Sequence, residues 1–131
     1  MSKPAAKQGD RVVATDTHVV MIPSPGGPIP TPLPHPFLGV LDGSLSSDVN
    51  IEGKPAATVG STATNTPSHV PQGGPFQKPP SNKGTVQAGS GSVLINGKPA
   101  ARAGDKAITC NDPADLPAGT VVAVGTVLIG G

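Results

Sequence analysis

One short segment occurs three times in this chain and limits the folds open to it. The copies start at Lys3, Lys54 and Lys98 and read KPAAKQGD, KPAATVGS and KPAARAGD. Their starts lie 51 and then 44 residues apart in a chain of 131 residues, so little of the sequence falls outside the three units. A tripled element in so short a chain predicts three equivalent structural units with threefold geometry.

A strand-like run precedes two of the three copies. Residues 92–97 read SVLING and residues 48–53 read DVNIEG, each with apolar side chains at every second position, which is the period of a β-strand. Asn96-Gly97 is the dipeptide that most favours a type I′ hairpin turn, and Glu52-Gly53 stands at the equivalent place. Each run is therefore expected to lead through a tight turn into KPAA, whose proline suits a strand start or edge.

The end of the chain supplies the run that the first copy lacks. Residues 125–131 read GTVLIGG and match GSVLING at 91–97 almost position for position. We therefore expect the strand at 125–129 to pair beside 3–8, which would close the units into a ring without sheet edges. The whole of 1–131 is assigned to a single domain, with units around 48–69, 92–110 and 125–131 joined in space with 3–18. A β-solenoid with imperfect repeats is the alternative.

The residue composition favours a thin all-β body with many turns. Glycine and proline number 18 and 17, there is no Trp or Tyr, and there are two Phe, so little apolar area is available for a thick core. Such a small core usually needs a metal or disulfides for stability, and the single cysteine, Cys110, excludes an internal disulfide. The proline-rich segments 23–37 and 67–84 are predicted to be loops packed on the strands, with a polyproline ligand for another domain as the alternative.

Charge and motifs exclude several classes of function. The net charge of +1 provides no field for nucleic acid or anionic lipid, and the sequence contains no nucleophile elbow and no phosphate-binding glycine loop. The N-terminus lacks the apolar run of a secretory signal, and no apolar stretch approaches the length of a membrane span. We therefore expect synthesis in the cytoplasm without a signal peptide.

The three histidines and the one cysteine form a complete zinc ligand set. His18 lies fifteen residues after Lys3 and His69 fifteen after Lys54, while Cys110 lies twelve after Lys98. These three positions are close to equivalent in the three units, and His35 would supply a fourth ligand from outside the pattern. Imidazole and thiolate are the preferred ligands of tetrahedral zinc, so we predict a metal site at His18, His35, His69 and Cys110.

Two kinds of metal site are compatible with these residues. Four protein ligands would leave no open coordination position, and the zinc would then hold the fold. The alternative is a catalytic zinc on the three histidines with Cys110 free, which needs a general base in a pocket. Asp16 and Asp112 are the only acids close in sequence to a ligand, and nothing in the sequence indicates a cleft for substrate.

The repeats resemble those of the PAAR family, named for Pro-Ala-Ala-Arg. KPAAR at 98–102 matches the motif fully, whereas the copies at 3–7 and 54–58 end in Lys7 and Thr58. The resemblance covers nearly the whole chain and includes the stretch HVVMIPSPGGPIPTPLPHPF. It implies a small cone of short strands with a zinc near its apex, bound by histidines and a cysteine, which corresponds to His18, His35, His69 and Cys110 here.

The resemblance also implies a function. Proteins of this family cap the trimeric VgrG-type spike of contractile injection machines such as the type VI secretion system, help to breach the target membrane and carry effectors. With two residues before the first repeat and a last strand at its end, this chain is expected to be a bare, non-enzymatic tip exported by the machine. One copy would cap three spike subunits, with the runs around Val49, Val93 and Val127 at the docking base. A small zinc hydrolase or secreted effector is the alternative.

Overall fold

The computed structural model describes residues 2–131, and this part of the chain is built from twelve strands and contains no helix. The all-β class predicted from the sequence is confirmed. Within the described residues there is accordingly no helix of the length and apolarity needed to cross a membrane. The strand bounds are β1 (Lys3–Pro4), β2 (Arg11–Ile22), β3 (Ile29–Gly43), β4 (Asn50–Ile51), β5 (Lys54–Pro55), β6 (Thr62–Asn65), β7 (Lys83–Val86), β8 (Leu94–Ile95), β9 (Lys98–Pro99), β10 (Lys106–Thr109), β11 (Leu116–Val122) and β12 (Leu128–Ile129).

Six strands form a closed antiparallel barrel in the order β10-β11-β2-β3-β6-β7. Each repeat unit contributes two of them: one that begins directly after the repeat (β2, β6 or β10) and one that returns (β3, β7 or β11). Because β7 pairs with β10 and β11 pairs with β2, the units join side by side around the barrel. Because the sheet closes on itself, each of the six strands has a neighbouring strand on both sides.

Three small hairpins precede the repeats. Strand β4 pairs with β5, β8 with β9, and β12 with β1, always with an isoleucine opposite the repeat lysine: Ile51↔Lys54, Ile95↔Lys98 and Ile129↔Lys3. The third pair joins the two ends of the chain, so the predicted pairing of 125–129 with 3–8 is confirmed. The turns at Glu52-Gly53 and Asn96-Gly97 have positive φ at both residues, from 53° to 81°, as a type I′ turn requires.

The three repeats are joined to one another by a cycle of backbone hydrogen bonds. The Ala6 N–H donates to the Ala101 carbonyl at 2.9 Å, the Ala101 N–H donates to Ala57 at 3.0 Å, and the Ala57 N–H donates to Ala6 at 3.0 Å. These are the second alanines of the three KPAA copies. Each unit therefore contacts both neighbours in the same way, which is the threefold arrangement expected from the sequence.

The interior consists of two clusters of buried apolar residues. The larger one fills the barrel and includes Phe37 and Leu41 together with Ala6, Ala57 and Ala101. The smaller one lies under the three hairpins and is made of two threefold sets: Ala5, Ala56 and Ala100, and Ile51, Ile95 and Ile129. Alanine at the repeat positions lets three backbones approach the centre closely, which explains why the motif uses such small side chains.

One of the two predicted loops is instead mainly a strand. Residues 29–37, which include Pro30, Pro32, Pro34 and Pro36, belong to β3 and pair with β2 over its full length, from Ile22↔Ile29 to Arg11↔Val40. The prolines stand at every second residue, so the residues between them can supply the N–H groups of the ladder, and the missing donors face away from β2. The second segment, 67–84, is a loop up to Asn82, where β7 follows.

Candidate metal centre

The candidate ligands lie at the end of the barrel opposite the repeat ring. Strand β2 begins at Arg11, beside the ring, and His18 follows seven residues later, roughly 23 Å along an extended strand. His69 lies seven residues after the start of β6, and Cys110 directly follows β10. The three strands run in equivalent directions from the ring. His18 on β2 and the two residues that follow β6 and β10 therefore come together at the far end.

Four buried side chains place possible ligand atoms within 4.8 Å of one another: Asp16, His18, His69 and Cys110. His18 Nε2 lies 3.6 Å from Cys110 Sγ, and Asp16 Oδ2 lies 3.5 Å from the same sulfur. His69 Nε2 lies 2.9 Å from Asp16 Oδ2. The structure therefore brings together three of the four residues predicted from the sequence and adds an aspartate to them.

His35, the fourth predicted residue, borders the same cluster. Its ring centroid lies 5.6 Å from that of His18 and 5.5 Å from that of His69. Its Nδ1 lies 2.9 Å from the Leu33 carbonyl, while its Nε2 is buried and has no hydrogen-bond partner among the described residues. A buried ring nitrogen without a partner is costly, and a metal ion would satisfy it.

Asp16 reaches the cluster because it shares a face of β2 with His18. Residues two apart on a strand point to the same side, and both side chains point inward and are almost completely buried. Asp16 Oδ1 accepts hydrogen bonds from Thr109 Oγ1 at 2.6 Å and Asn111 Nδ2 at 3.5 Å. These bonds fix the carboxylate and leave Oδ2 directed at the possible ligands. From the sequence, Asp16 was a candidate only for the general base of a catalytic zinc site.

The segment after Cys110 binds back onto β2 and fixes the position of His18. Asn111 Oδ1 accepts the Thr17 N–H at 2.7 Å, and Asp112 Oδ2 accepts the Val19 N–H at 2.8 Å. Asp112 Oδ2 also lies 3.6 Å from His18 Nδ1. That separation is too long for a hydrogen bond, and His18 Nδ1 is, like His35 Nε2, a buried ring nitrogen without a partner among the described residues.

Burial dominates the protonation of the centre. It lowers the pKa of His18, an effect that the neighbouring His69 reinforces, so this ring is neutral near pH 7. Burial also raises the pKa of the Cys110 thiol to about 11, with the negative charge of Asp16 adding to the effect. A metal ligand must be deprotonated. Cys110 therefore has to lose a proton when a metal binds, whereas His18 already has the required form.

The donor set fits zinc. It offers imidazole nitrogen, thiolate sulfur and carboxylate oxygen, the three ligand types that zinc uses in proteins. The four side chains that carry these atoms are buried together. Bound there, the ion would supply crosslinks between β2, β3, the segment after β6 and the end of β10. A cavity of about 380 Å³ lies beside His35 and His69, lined by prolines and by Leu38, Val70 and neighbouring polar side chains.

Residues 77–131 match the protein-family model described as the PAAR motif. This match supports a PAAR-repeat protein. The matched residues include the copy that fits the motif fully, KPAAR at 98–102, together with the strands from β7 to β12 and Cys110. PAAR-repeat proteins are structural, associate with the VgrG spike and bind metal, and the match supports a spike-tip role for this chain in general terms. A comparison with curated protein sequences found no significant match.

Proposed function

We propose that this PAAR-repeat chain is a non-enzymatic tip and that a single copy caps a trimeric VgrG-type spike of a type VI secretion system or a related contractile injection machine. The observation that carries the proposal is the cycle of hydrogen bonds among Ala6, Ala57 and Ala101. One chain with three nearly equal units can offer each subunit of a trimer the same surface. A homotrimeric tip would not need the sequence to be tripled.

The end of the molecule that carries the repeat hairpins is the proposed docking base. Val49 and Val127 are 37% and 39% exposed at equivalent positions, and Leu94 and Leu128 are 62% and 58% exposed at the next equivalent pair. Exposed apolar side chains grouped on one surface are typical of an interface with another protein. This surface includes the runs around Val49, Val93 and Val127, which the sequence predicted to form the base.

The proposed role of the metal is to stabilise the opposite end. The barrel core consists largely of alanine and valine with one Phe, so apolar burial contributes less per residue than in an ordinary domain. Zinc binding at such a site adds folding free energy directly. With four protein ligands there is no open position for a substrate or a reactive water, which is why we propose a structural zinc and no hydrolase activity.

Export follows from the same proposal. A tip mounted on the spike needs no signal peptide because the machine moves it out of the cytoplasm, and it would meet the target membrane first. Carriage of effector proteins would use surfaces away from the base.

The test is the stoichiometry of the complex with a cognate spike. We expect native mass spectrometry to show one copy of this chain per three spike subunits, and Leu128→Asp to weaken the complex by at least about tenfold, since it places a charge in an apolar contact. Val70→Asp is the matched control, because Val70 is equally exposed but belongs to the loop beside the metal centre. A three-to-three complex, or equal binding by both variants, would contradict the proposed docking.

A further inference from the structure

We propose that one side of the repeat ring holds a pocket for a carboxylate, and that the carboxylate is an acidic side chain of the protein that docks at the base. The proposal rests on the docking proposed above. The ring has three junctions, at which each repeat pairs with the next one: Lys7 with Ala56, Thr58 with Ala100 and Arg102 with Ala5. Since the repeats are otherwise alike, a difference among the junctions is specific to one place in the molecule.

A long basic side chain fills two of the junctions. Lys7 Nζ donates to the Val124 carbonyl at 2.7 Å, and Arg102 Nη1 donates to the Gly130 carbonyl at 3.4 Å. Each of these side chains also forms an ion pair with the carboxylate three residues later in the same repeat. Both junctions are therefore occupied by a cation together with its own anion.

The third junction has neither of these groups. Thr58 stands where the other repeats have Lys7 and Arg102, and Ser61 stands in place of the carboxylate. Beside the short threonine side chain lies a cavity of about 280 Å³, which reaches from the segment before β4 to the hairpin of β8 and β9. The loss of the ion pair has left open space at this junction alone among the three positions of the repeat.

The lining of the cavity shows that it is the space filled elsewhere by the basic side chains. Ser46 and Asn96 both line it. Ser46 and Val124 each lie five residues before the isoleucine that faces a repeat lysine, and Asn96 and Gly130 each follow such an isoleucine. The cavity is therefore bordered by the counterparts of the residues that accept from Lys7 and Arg102.

The charge at this cavity favours an anion. Of the residues that line it, Lys98 alone is charged, and within residues 2–131 Lys98 has no ion pair. The carboxylate of Asp48 lies outside the lining and accepts from Asn96 Nδ2 at 2.6 Å. A cation that entered would meet the ammonium group of Lys98 without a compensating carboxylate, whereas an anion would form a charge-assisted hydrogen bond with it.

The remaining lining residues favour an acidic side chain over a bare anion. Ser44 and Ser47 carry hydroxyl groups that can donate to an oxygen. Leu45 and Ile95 add apolar surface, against which the methylene groups of a glutamate or aspartate can pack. Inorganic phosphate has no apolar part and would leave this surface without a contact.

The position of the cavity indicates where the acidic side chain comes from. Lys98 belongs to the hairpin of β8 and β9, whose Leu94 is 62% exposed on the proposed docking base. A protein seated on the base therefore lies beside the cavity. Because the other two junctions are filled, one carboxylate per copy of this chain is bound, even where three identical spike subunits each present one.

The first test is a titration of the unmodified chain followed by the NMR signals of its backbone amides. The probes are N-acetylglutamate α-amide, its neutral glutamine analogue and inorganic phosphate. We expect the glutamate compound to give saturable shifts at 44–47, 58 and 95–98 that weaken as salt is added. Equal shifts with the glutamine compound, larger shifts with phosphate, or no localised shifts with any probe would overturn the proposal.

The second test repeats the titration with variants. Lys98→Met removes an exposed charge and should weaken binding of the glutamate compound by at least about tenfold. Lys54→Met, the matched change at a filled junction, should have no effect. Thr58→Arg with Ser61→Asp rebuilds the arrangement of Arg102 and should abolish binding without lowering the melting temperature. Unchanged binding in Lys98→Met, which needs no rearrangement of the fold, would refute the assignment.

The third test measures affinity for a cognate spike trimer. We expect Lys98→Met to weaken the complex by at least about fivefold, since it removes one charge-assisted contact, and Lys54→Met to leave it unchanged. A one-to-three complex of equal affinity with both variants would overturn the proposed pocket and leave the docking intact. No complex with any form of the chain would contradict the docking itself, and with it the protein source of the carboxylate.

Discussion

Two of the three repeats end in an ion pair, and the remaining one does the same task with neutral side chains. The backbone N–H of Lys7 donates to Asp10 Oδ2 at 3.1 Å, and that of Arg102 donates to Asp105 Oδ2 at 2.7 Å. In the second unit the Thr58 N–H donates to Ser61 Oγ at 2.9 Å. The shared requirement is an acceptor three residues on, as expected for a side chain that caps a turn. Where this acceptor is a largely buried carboxylate, Lys7 or Arg102 supplies the compensating positive charge.

The neutral Thr58–Ser61 pair predicts how the chain responds when Arg102 is replaced. Its guanidinium donates twice to Asp105, and both residues are buried, so Arg102→Thr should lower the free energy of unfolding by about 2 kcal/mol because a charged acceptor loses its partners. Adding Asp105→Ser recreates the Thr58–Ser61 arrangement and should restore most of the loss. The measurement is urea unfolding of the single and double variants. Additive losses would show that the two units are not interchangeable.

The raised pKa of Cys110 predicts a pH dependence of zinc binding. With a pKa of about 11 the thiol is protonated near neutral pH, so binding releases one proton and affinity should rise about tenfold per pH unit between about pH 7.5 and about pH 9. Acid has the opposite effect because protons compete with the metal. Chelator competition across this range measures the slope. Cys110→Ser, whose hydroxyl does not ionise here, should bind more weakly with a flatter dependence.

The sequence drew attention to histidine and cysteine, which are rare in this chain, but not to the aspartate that lies among them in the structure. Three histidines and one cysteine stand out, and the structure brings His18, His69 and Cys110 together with His35 at their border. Asp16 is one of eight acidic residues, most of which serve turns or the surface. Asp16 stands two residues before His18 on β2, but the sequence predicted no strand over 11–22 from which to infer that the two side chains share a face.

At the scale of elements, β3 shows how a proline-rich segment can be a strand. Its prolines are exposed and alternate with inward side chains such as His35 and Phe37. Composition predicted a loop, and this prediction was wrong for 29–37 because each proline leaves the N–H groups of its neighbours free to pair with β2. Among the described residues, no strand pairs with the far edge of 29–37.

The prolines of β3 are therefore predicted to protect an open edge. Pro32→Val with Pro34→Val would add two N–H groups to that edge, which could then pair with another chain. We expect monomers to give way to dimers or larger species in light scattering at high concentration, with little change in thermal stability. Pro71→Val, in the loop, is the control and should stay monomeric. A monomeric double variant would mean that the edge is protected by other features.

At the scale of the whole molecule, the units are held by contacts that cross from one to the next. The turn of one hairpin contacts the neighbouring unit: Glu52 Oε1 accepts the Thr126 N–H at 2.9 Å, and Asn96 donates to Asp48 at 2.6 Å. The sequence predicted this closure from the match between 91–97 and 125–131. It could not predict the six-strand barrel, because β6, β7 and β10 have only four residues each and no distinctive pattern.

Removal of residues 125–131 tests the closure. It deletes β12, removes buried Ile129 and leaves the Ala5 N–H without its acceptor, the Val127 carbonyl. Loss of one large buried side chain costs about 2–5 kcal/mol, and the bared β1 edge favours aggregation. We expect a much lower melting temperature and insoluble protein. Conversely, a truncated chain as stable as the full one would show that the third hairpin is dispensable.

A closed cycle of three like hydrogen bonds responds to force differently from an open sheet. An open sheet fails by peeling, since its outermost strand can be pulled away one bond at a time. The backbones of Ala6, Ala57 and Ala101 each donate one hydrogen bond and accept another. None of the three hydrogen bonds can therefore open without straining the other two. A compressive force along the threefold axis is shared among three equivalent hydrogen bonds. The molecule should therefore yield only when the whole ring deforms, at a higher force than a single hydrogen bond would bear.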